Sequence, residues 1–257
     1  GVILITTKKG KEGKTVININ SNVGIGNVSK NQPVLGANEF IDWRSEVMKN
    51  INSSYKPHQF ENPANLPADV SLDQWLAYDG SKGDPTTIWL QRLGMQPAEI
   101  ENYKANRSVD WYKKVFQTGL RQDHTVSLSG RKEAVSYFMS LGYLNNEGIV
   151  YGDKFSTVRG RVNLEGQVSK FLKVGVNTQF ADKDESQVPV DYGLARTLSP
   201  WGSEFDEFGE YKWRPNGEAS GGNHPYYERQ FVDRRVKYTT LNTTLFADLK
   251  LPFGRTY

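Results

Sequence analysis

Three histidines and a short run of carboxylates are the residues of this chain with the most versatile chemistry. His58, His124 and His224 are far apart, and none has a second histidine at metal-ligand spacing. The acidic run at 182–185 lacks the spacing of a calcium-binding loop and fits a solvated loop entry better. The 257 residues include no cysteine, which removes thiolate ligands and nucleophiles. The sequence therefore predicts no enzyme activity, no metal and no cofactor.

Aromatic residues make up 12% of the chain, and many of them crowd the region 201–227. Flat rings beside hydrogen-bonding groups suit sugar rings and peptide side chains, because both ligands have an apolar face and polar edges. The alternative is that these rings pack the loop's own small core or a partner protein. The candidate substrate-binding residues are Trp201, Tyr211, Trp213, Tyr226 and Tyr227.

The segments around these loops alternate apolar and polar residues. In 156–166, Val158 and Val162 face one side, whereas Arg159 and Arg161 face the other. Segments of about ten residues with one apolar and one polar face are typical of membrane-barrel strands. The same alternation predicts strands at 15–25, 124–130, 135–143, 171–181 and 241–251.

Connections between these strands differ in predicted length. Long connections are expected at about 27–120, 144–155 and 182–236, and short turns at 131–133, 167–170 and 252–254. Such alternation of short and long is typical of outer-membrane barrels. Within the first long connection, the spacing predicts a helix at 38–48 capped by Asn38 and a second at 97–103, with irregular structure elsewhere.

Overall composition leaves a membrane location open. Hydrophobic residues make up 37%, the formal net charge is +3, and no apolar run reaches the length of a spanning helix. Barrel strands need no such run. The basic cluster at 8–14 would be compatible with nucleic acid, but a solvated linker between apolar strands is the better interpretation, so no nucleic acid is expected.

Several segments occur in an order and spacing shared with one known family. They are Gly1–Lys11 (GVILITTKKGK), Asp110–Gly119 (DWYKKVFQTG), Gln122–Gly130 (QDHTVSLSG), Tyr137–Tyr143 (YFMSLGY) and Arg159–Leu164 (RGRVNL). Together these segments resemble the end of the plug and the first barrel strands of SusC/RagA-type TonB-dependent outer-membrane transporters. The resemblance extends from residue 1 to about 181.

This resemblance implies an all-β fold, the N-terminal part of a transmembrane antiparallel β-barrel of about 22 strands when complete. Residues 1–14 would be the last plug strand and the plug-to-barrel linker, and 15–257 the first six or so barrel strands. The long loops would be extracellular and would contain short helices. Arg159 and Arg161 would face the lumen, where they would pair with plug carboxylates or meet an anionic substrate.

The implied function is uptake of oligosaccharides, or of peptides, across the outer membrane of a Gram-negative bacterium. A SusD-type surface lipoprotein would act as the lid, and TonB would act on the plug through an upstream segment. Two other classes stay open. A secreted β-sandwich carbohydrate-binding module would bury its apolar strand faces in an interior, and a β-rich glycoside hydrolase would need a marked carboxylate pair.

Overall fold

The computed structural model describes residues 12–30, 34–51, 54–219 and 221–251. The chain folds as two compact units. The first, called the sheet unit, comprises residues 1–28, 117–189 and 233–257, and the second, called the helical unit, comprises residues 29–116 and 190–232. The predicted plug strand and basic linker at 1–11 and the predicted turn at 252–254 lie outside the described residues.

Six antiparallel strands form one sheet in the sheet unit, in sequential order. They form where apolar and polar residues alternate, because successive side chains of a strand point to opposite faces. The strands are β1 Val16–Gly26, β2 Gly119–Lys132, β3 Val135–Glu147, β4 Lys154–Gln167, β5 Leu172–Asp184 and β6 Lys237–Leu249. The described strands therefore do not make the two facing sheets that a sandwich requires.

The strand register brings apolar side chains together on one face of the sheet. Ile19 lies opposite Val126, and Val126 lies opposite Leu141 on the next strand. One residue along, Ser140 pairs with Arg161 on the other face. The sheet thus has an apolar face and a polar face across all six strands, as the alternation predicts.

The apolar face of the sheet is the more exposed of the two. Leu141 is 64% exposed, Leu245 is 78% exposed and Val158 is 41% exposed, whereas Ser136 on the polar face is only 4% exposed. A water-soluble sheet has the opposite arrangement, because burying one large apolar side chain stabilises it by about 1.5–3 kcal/mol. This face consequently requires an apolar environment that the described residues do not supply.

The connection between β3 and β4 is shorter than predicted. β3 continues to Glu147, which pairs with Lys154 at the start of β4. Asn145 and Asn146 also belong to the ladder, although neither continues the apolar pattern. Backbone hydrogen bonds extend the strands here, and a Glu147–Lys154 ion pair at 2.7 Å joins their ends. The predicted length of the connection at 144–155 is therefore wrong, although the observed connection at 148–153 is still longer than the turns at 133–134 and 168–171.

The helical unit contains more regular structure than the sequence predicts for the long loops. Its helices are α1 Ala37–Ile51, α2 Leu72–Ala77, α3 Pro85–Arg92, α4 Pro97–Lys104, α5 Trp111–Lys114 and α6 Tyr192–Ala195, with 3-10 helices at Pro63–Asn65 and Tyr227–Gln230. Helices α1 and α4 cover the helical segments predicted at 38–48 and 97–103. The predicted irregular structure is wrong at Pro63 and Pro85, because proline is well tolerated in the first turn of a helix.

Local capping explains where several of these helices begin. The Ser71 side chain accepts a hydrogen bond from the Gln74 amide and forms a capping box at α2. Asp84 accepts the Thr87 amide at 2.9 Å ahead of α3. The predicted Asn38 cap is wrong, because α1 already begins at Ala37.

A core of aromatic and aliphatic side chains holds the helical unit together. Trp75, Leu90 and Leu93 have no exposed surface. The Arg92 guanidinium lies 3.9 Å from the centre of the Trp75 ring and pairs with Asp79 at 2.7 Å, which lowers the pKa of Asp79 to about 2. This core forms a fixed support for the loop residues of the unit. None of the helices in the described residues is both long enough and apolar enough to span a membrane.

Candidate functional site

Arg159 has a carboxylate partner within the polar face of the sheet. Its Nη2 donates to Asp123 Oδ1, and Arg121 lies 3.6 Å from the other oxygen of the same carboxylate. Sequence reasoning missed Asp123 as a partner, although the alternation of β2 and β4 places both residues on the polar face. The guanidinium of Arg159 is therefore committed to a contact inside the sheet.

Arg161 lies on the same face and is in a different situation. It pairs in register with Ser140 and Gln179, both uncharged, and no ion pair joins it to another described residue. A groove of about 450 Å³ along this face is lined by Thr125, Ser140, Arg159, Arg161, Gln179, Thr240 and Asn242, among others. Of the two predicted arginines, Arg161 is the one whose charge remains available to a further group.

Trp201 is a core residue of the helical unit. Its side chain is 3% exposed, and its Nε1 donates to the Ala37 carbonyl at 3.0 Å. The ring also lies 4.9 Å from that of Tyr103. In contrast to the prediction for substrate binding, Trp201 has no free face for a ligand, because the core occupies it.

Tyr211 and Tyr226 pack around a buried histidine. Tyr211 stacks on His224 with ring centres 4.6 Å apart, and Trp111 meets the same imidazole edge-on at 5.1 Å. The Tyr226 hydroxyl donates to the Lys114 carbonyl at 2.5 Å. These contacts join the end of the first long connection to the second, so both tyrosines have packing roles. No local pattern in the sequence predicts the central position of His224.

The environment of His224 keeps its imidazole neutral. The side chain is 2% exposed, and its Nδ1 accepts the Tyr226 amide hydrogen at 3.1 Å, which leaves the proton on Nε2. No described residue accepts a hydrogen bond from Nε2. Burial, and then the positive charge of Lys114, lower the pKa of His224 to about 4.

We expect the helical unit to lose stability as the pH falls from about 6.5 to about 4. Within this interval His224 becomes protonated in the unfolded chain but stays neutral in the folded chain. The stability that is present above the unfolded pKa is therefore lost as the pH falls, by about 3 kcal/mol at most. Protonation also removes the acceptor at Nδ1. Urea unfolding at several pH values, read by pulsed hydrogen exchange at one labelling pH, measures the loss. A His224→Phe variant should show a flatter profile over this interval, and an unchanged profile would contradict the assignment.

Trp213 keeps an accessible ring, and Tyr227 is half-buried beside it. Trp213 is 45% exposed and stacks on Tyr227 at 6.3 Å between ring centres. Phe231, which is 67% exposed, lies 4.8 Å beyond Tyr227, and the Arg214 guanidinium lies 4.5 Å from the centre of a Trp213 ring. Sequence reasoning missed Phe231, which falls outside the aromatic cluster it considered. We call Trp213, Tyr227 and Phe231 the aromatic strip.

Metal ligands are not grouped in the part of the chain that the structure describes. No cluster there contains three or more histidine, aspartate or glutamate side chains placed to hold an ion. The accessible groups are instead the Arg161 guanidinium on the polar face of the sheet and the aromatic strip of the helical unit. Both arrangements suit reversible binding by charge and by ring contacts.

Sequence comparison relates the chain to TonB-dependent receptors. It is 25% identical over 182 residues to the TonB-dependent receptor SusC of Bacteroides thetaiotaomicron, covering 70% of this chain and 13% of SusC. It is 32% identical over 115 residues to the TonB-dependent receptor P26 of Formosa agariphila, covering 45% of this chain and 11% of that protein. No family model matches the chain. The chain thus spans about an eighth of the length of these curated relatives.

Structure comparison gives the same relationship for the fold. A solved structure of the RagAB peptide transporter matches 95% of this chain and 27% of its own chain, with a TM-score of 0.61 and 21% identity. The RagAB peptide importer in its closed-closed state matches with a TM-score of 0.59 and 20% identity. In sequence the chain is similar to SusC and other TonB-dependent receptors, and in fold it is similar to part of RagAB, so it resembles SusC/RagA-type transporters.

Proposed function

We propose that this chain is part of a TonB-dependent importer in the outer membrane of a Gram-negative bacterium, with the sheet unit in the barrel wall. The observation that carries this proposal is the exposed apolar face of the sheet. In β6 the apolar face runs from Leu241 to Leu249, about nine residues, which is the length of a tilted membrane-spanning strand. A lipid environment would cover this face, and the polar face would line the lumen.

The two outer strands of the sheet support closure by strands from the rest of the protein. β1 and β6 each pair on one side only within the described residues. Unpaired backbone groups along such edges cost several kcal/mol each in hydrocarbon. We therefore propose that β1 and β6 continue into a barrel of about 22 strands around a plug, with residues 1–14 as the last plug strand and linker.

The transport cycle proposed here involves binding and movement without covalent chemistry. A SusD-type lipoprotein would close over the long connections, which would lie outside the cell, and TonB would displace the plug. Similarity to SusC and to the RagAB peptide transporter supports this assignment. The named relatives are receptors and transporters, so we propose no catalytic role for this chain.

The cargo proposed for this importer is an oligosaccharide, with a peptide as the second possibility. The aromatic strip offers adjacent ring faces beside Arg214, and this combination suits a ligand with apolar faces and polar edges. Both oligosaccharides and peptides meet that description. Of the five predicted binding residues, Trp213 is the exposed one, and Tyr227 supports it from the side.

The full-length protein provides the test of this proposal. We expect it to fractionate with the outer membrane, to co-purify with a SusD-type lipoprotein and to take up labelled oligosaccharides or peptides only when TonB is present. Uptake that continues without TonB, or a protein that fractionates with the periplasm, would overturn the proposal. A Trp213→Ala variant tests cargo binding. Leu72→Ala, at an exposed residue elsewhere in the helical unit, is the control that separates cargo binding from folding.

A further inference from the structure

Phe208 is the most exposed large hydrophobic residue in the described part of the chain. Its side chain is 81% exposed, more than any residue of the apolar sheet face. It lies in a turn of the helical unit, Asp206–Glu210, called the Phe208 turn. A single exposed phenylalanine in a mobile loop would need no explanation. The exposure of Phe208 is significant only if the backbone of its turn is ordered.

The backbone of the Phe208 turn is fixed by its own hydrogen bonds. Asp206 Oδ1 accepts the amides of Phe208 at 2.9 Å and of Glu210 at 3.0 Å, and the Asp206 amide donates to the Glu210 carbonyl at 2.9 Å. Gly209 adopts a φ of +81°, which allows the chain to reverse without strain. The phenyl ring is consequently presented from an ordered turn, at a low entropic cost for binding.

The base of the turn is attached to the core of the helical unit. Phe205 and Tyr211 stack across it at 5.4 Å, and Tyr211 in turn stacks on the buried His224. Glu204 pairs with Lys114 at 2.7 Å. The turn therefore projects from a supported position.

The Phe208 turn is rich in carboxylates. Asp206, Glu207 and Glu210 are all exposed, and none forms an ion pair with another described residue. The chain as a whole carries a formal charge of +3, so this negative patch is local. A phenyl ring in an acidic rim is complementary to an apolar pocket with lysine or arginine at its edge.

We propose that the Phe208 turn is a docking element that inserts Phe208 into a basic-rimmed apolar pocket of a partner protein, the lipoprotein lid. The ring protrudes, whereas small-molecule sites are concave, so a protein with a matching cavity fits it better than a sugar or a short peptide does. The three carboxylates disfavour an anionic lipid surface. This inference rests on the proposed function for the identity of the partner.

Binding of the lid to full-length variants tests the docking element. The probe is the soluble form of the SusD-type lipoprotein that co-purifies with the wild-type transporter. We expect Phe208→Ala to raise its Kd by about 30-fold or more, as at interface hot spots. Glu207→Gln with Glu210→Gln should slow association and weaken its dependence on salt. Tyr192→Ala, which removes a ring that is 51% exposed elsewhere in the helical unit, should leave the Kd within about twofold.

The possible outcomes separate this inference from the proposed function. If the lipoprotein binds the wild type and the Phe208→Ala variant equally well, the Phe208 turn is not a docking element. The importer assignment would still stand. If Phe208→Ala and Tyr192→Ala weaken binding alike, the effect is a general loss of surface hydrophobicity and the inference also fails. If no lipoprotein binds the wild type, both the lid partnership and the docking element are overturned.

Discussion

Replacing Leu245 by arginine is expected to destabilise the full-length protein in a bilayer by about 2–4 kcal/mol, the cost of a cation on the lipid face near the midplane. Leu245 lies at the middle of the apolar run of β6 and is 78% exposed. Urea titration of the protein folded in phosphatidylcholine vesicles measures the change. In water the same substitution on an exposed side chain would change stability by less than about 0.5 kcal/mol.

Thr244→Arg is the matched control for this substitution. Thr244 is the neighbour of Leu245 on the same strand and pairs with Asn177 on the polar face. An arginine there would meet polar groups and water, so we expect little change in stability. Equal effects at the two positions would contradict the assignment of the apolar face to lipid.

Replacing Trp75 by alanine is expected to remove about 3–5 kcal/mol from the stability of the helical unit. Trp75 has no exposed surface, its Nε1 donates to the His58 carbonyl at 3.1 Å and its ring packs under Arg92. The substitution leaves a large cavity and an unsatisfied carbonyl. Amide exchange in α3, measured on the full-length protein in detergent, should accelerate by about two to four orders of magnitude.

Leu72→Ala provides the comparison within the same helix. Leu72 is 42% exposed, so its truncation should cost less than about 1 kcal/mol. Exchange in the strands of the sheet unit should stay the same in both variants if the helical unit opens on its own. Slow exchange retained in α3 of the Trp75→Ala protein would show that this core does not hold the unit together.

The sheet was predictable because one physical rule governs it. In β4 from 158 to 165 and in β6 from 241 to 249, apolar and polar residues largely alternate, so side-chain direction and face follow directly from the sequence. The start of β2 at Gly119 and the end of β3 at Glu147 were not predictable in this way. Those segments are largely polar on both faces, so backbone pairing and the Glu147–Lys154 ion pair support them rather than an apolar pattern.

The helical unit was less predictable, because its stability comes from contacts between distant segments. Trp201 contacts Ala37 and Tyr103, and His224 contacts Trp111, across separations that no local pattern records. Pro85 opens α3, although prolines in a loop are more often breakers. The exposed ring of Trp213 could be proposed from composition, whereas the buried role of Trp201 required the three-dimensional structure.

The orientation of β6 in the membrane is the most direct test of the account. Single cysteines placed at each position from 241 to 249 of the full-length protein, in a cysteine-free background, can carry a nitroxide spin label. In a bilayer we predict that odd positions collide mainly with oxygen, most strongly at 245, and that even positions such as 244 collide mainly with a water-soluble nickel complex. If the odd positions were shielded from both reagents, or open to the nickel complex, the apolar face would not contact lipid and the importer assignment would be wrong.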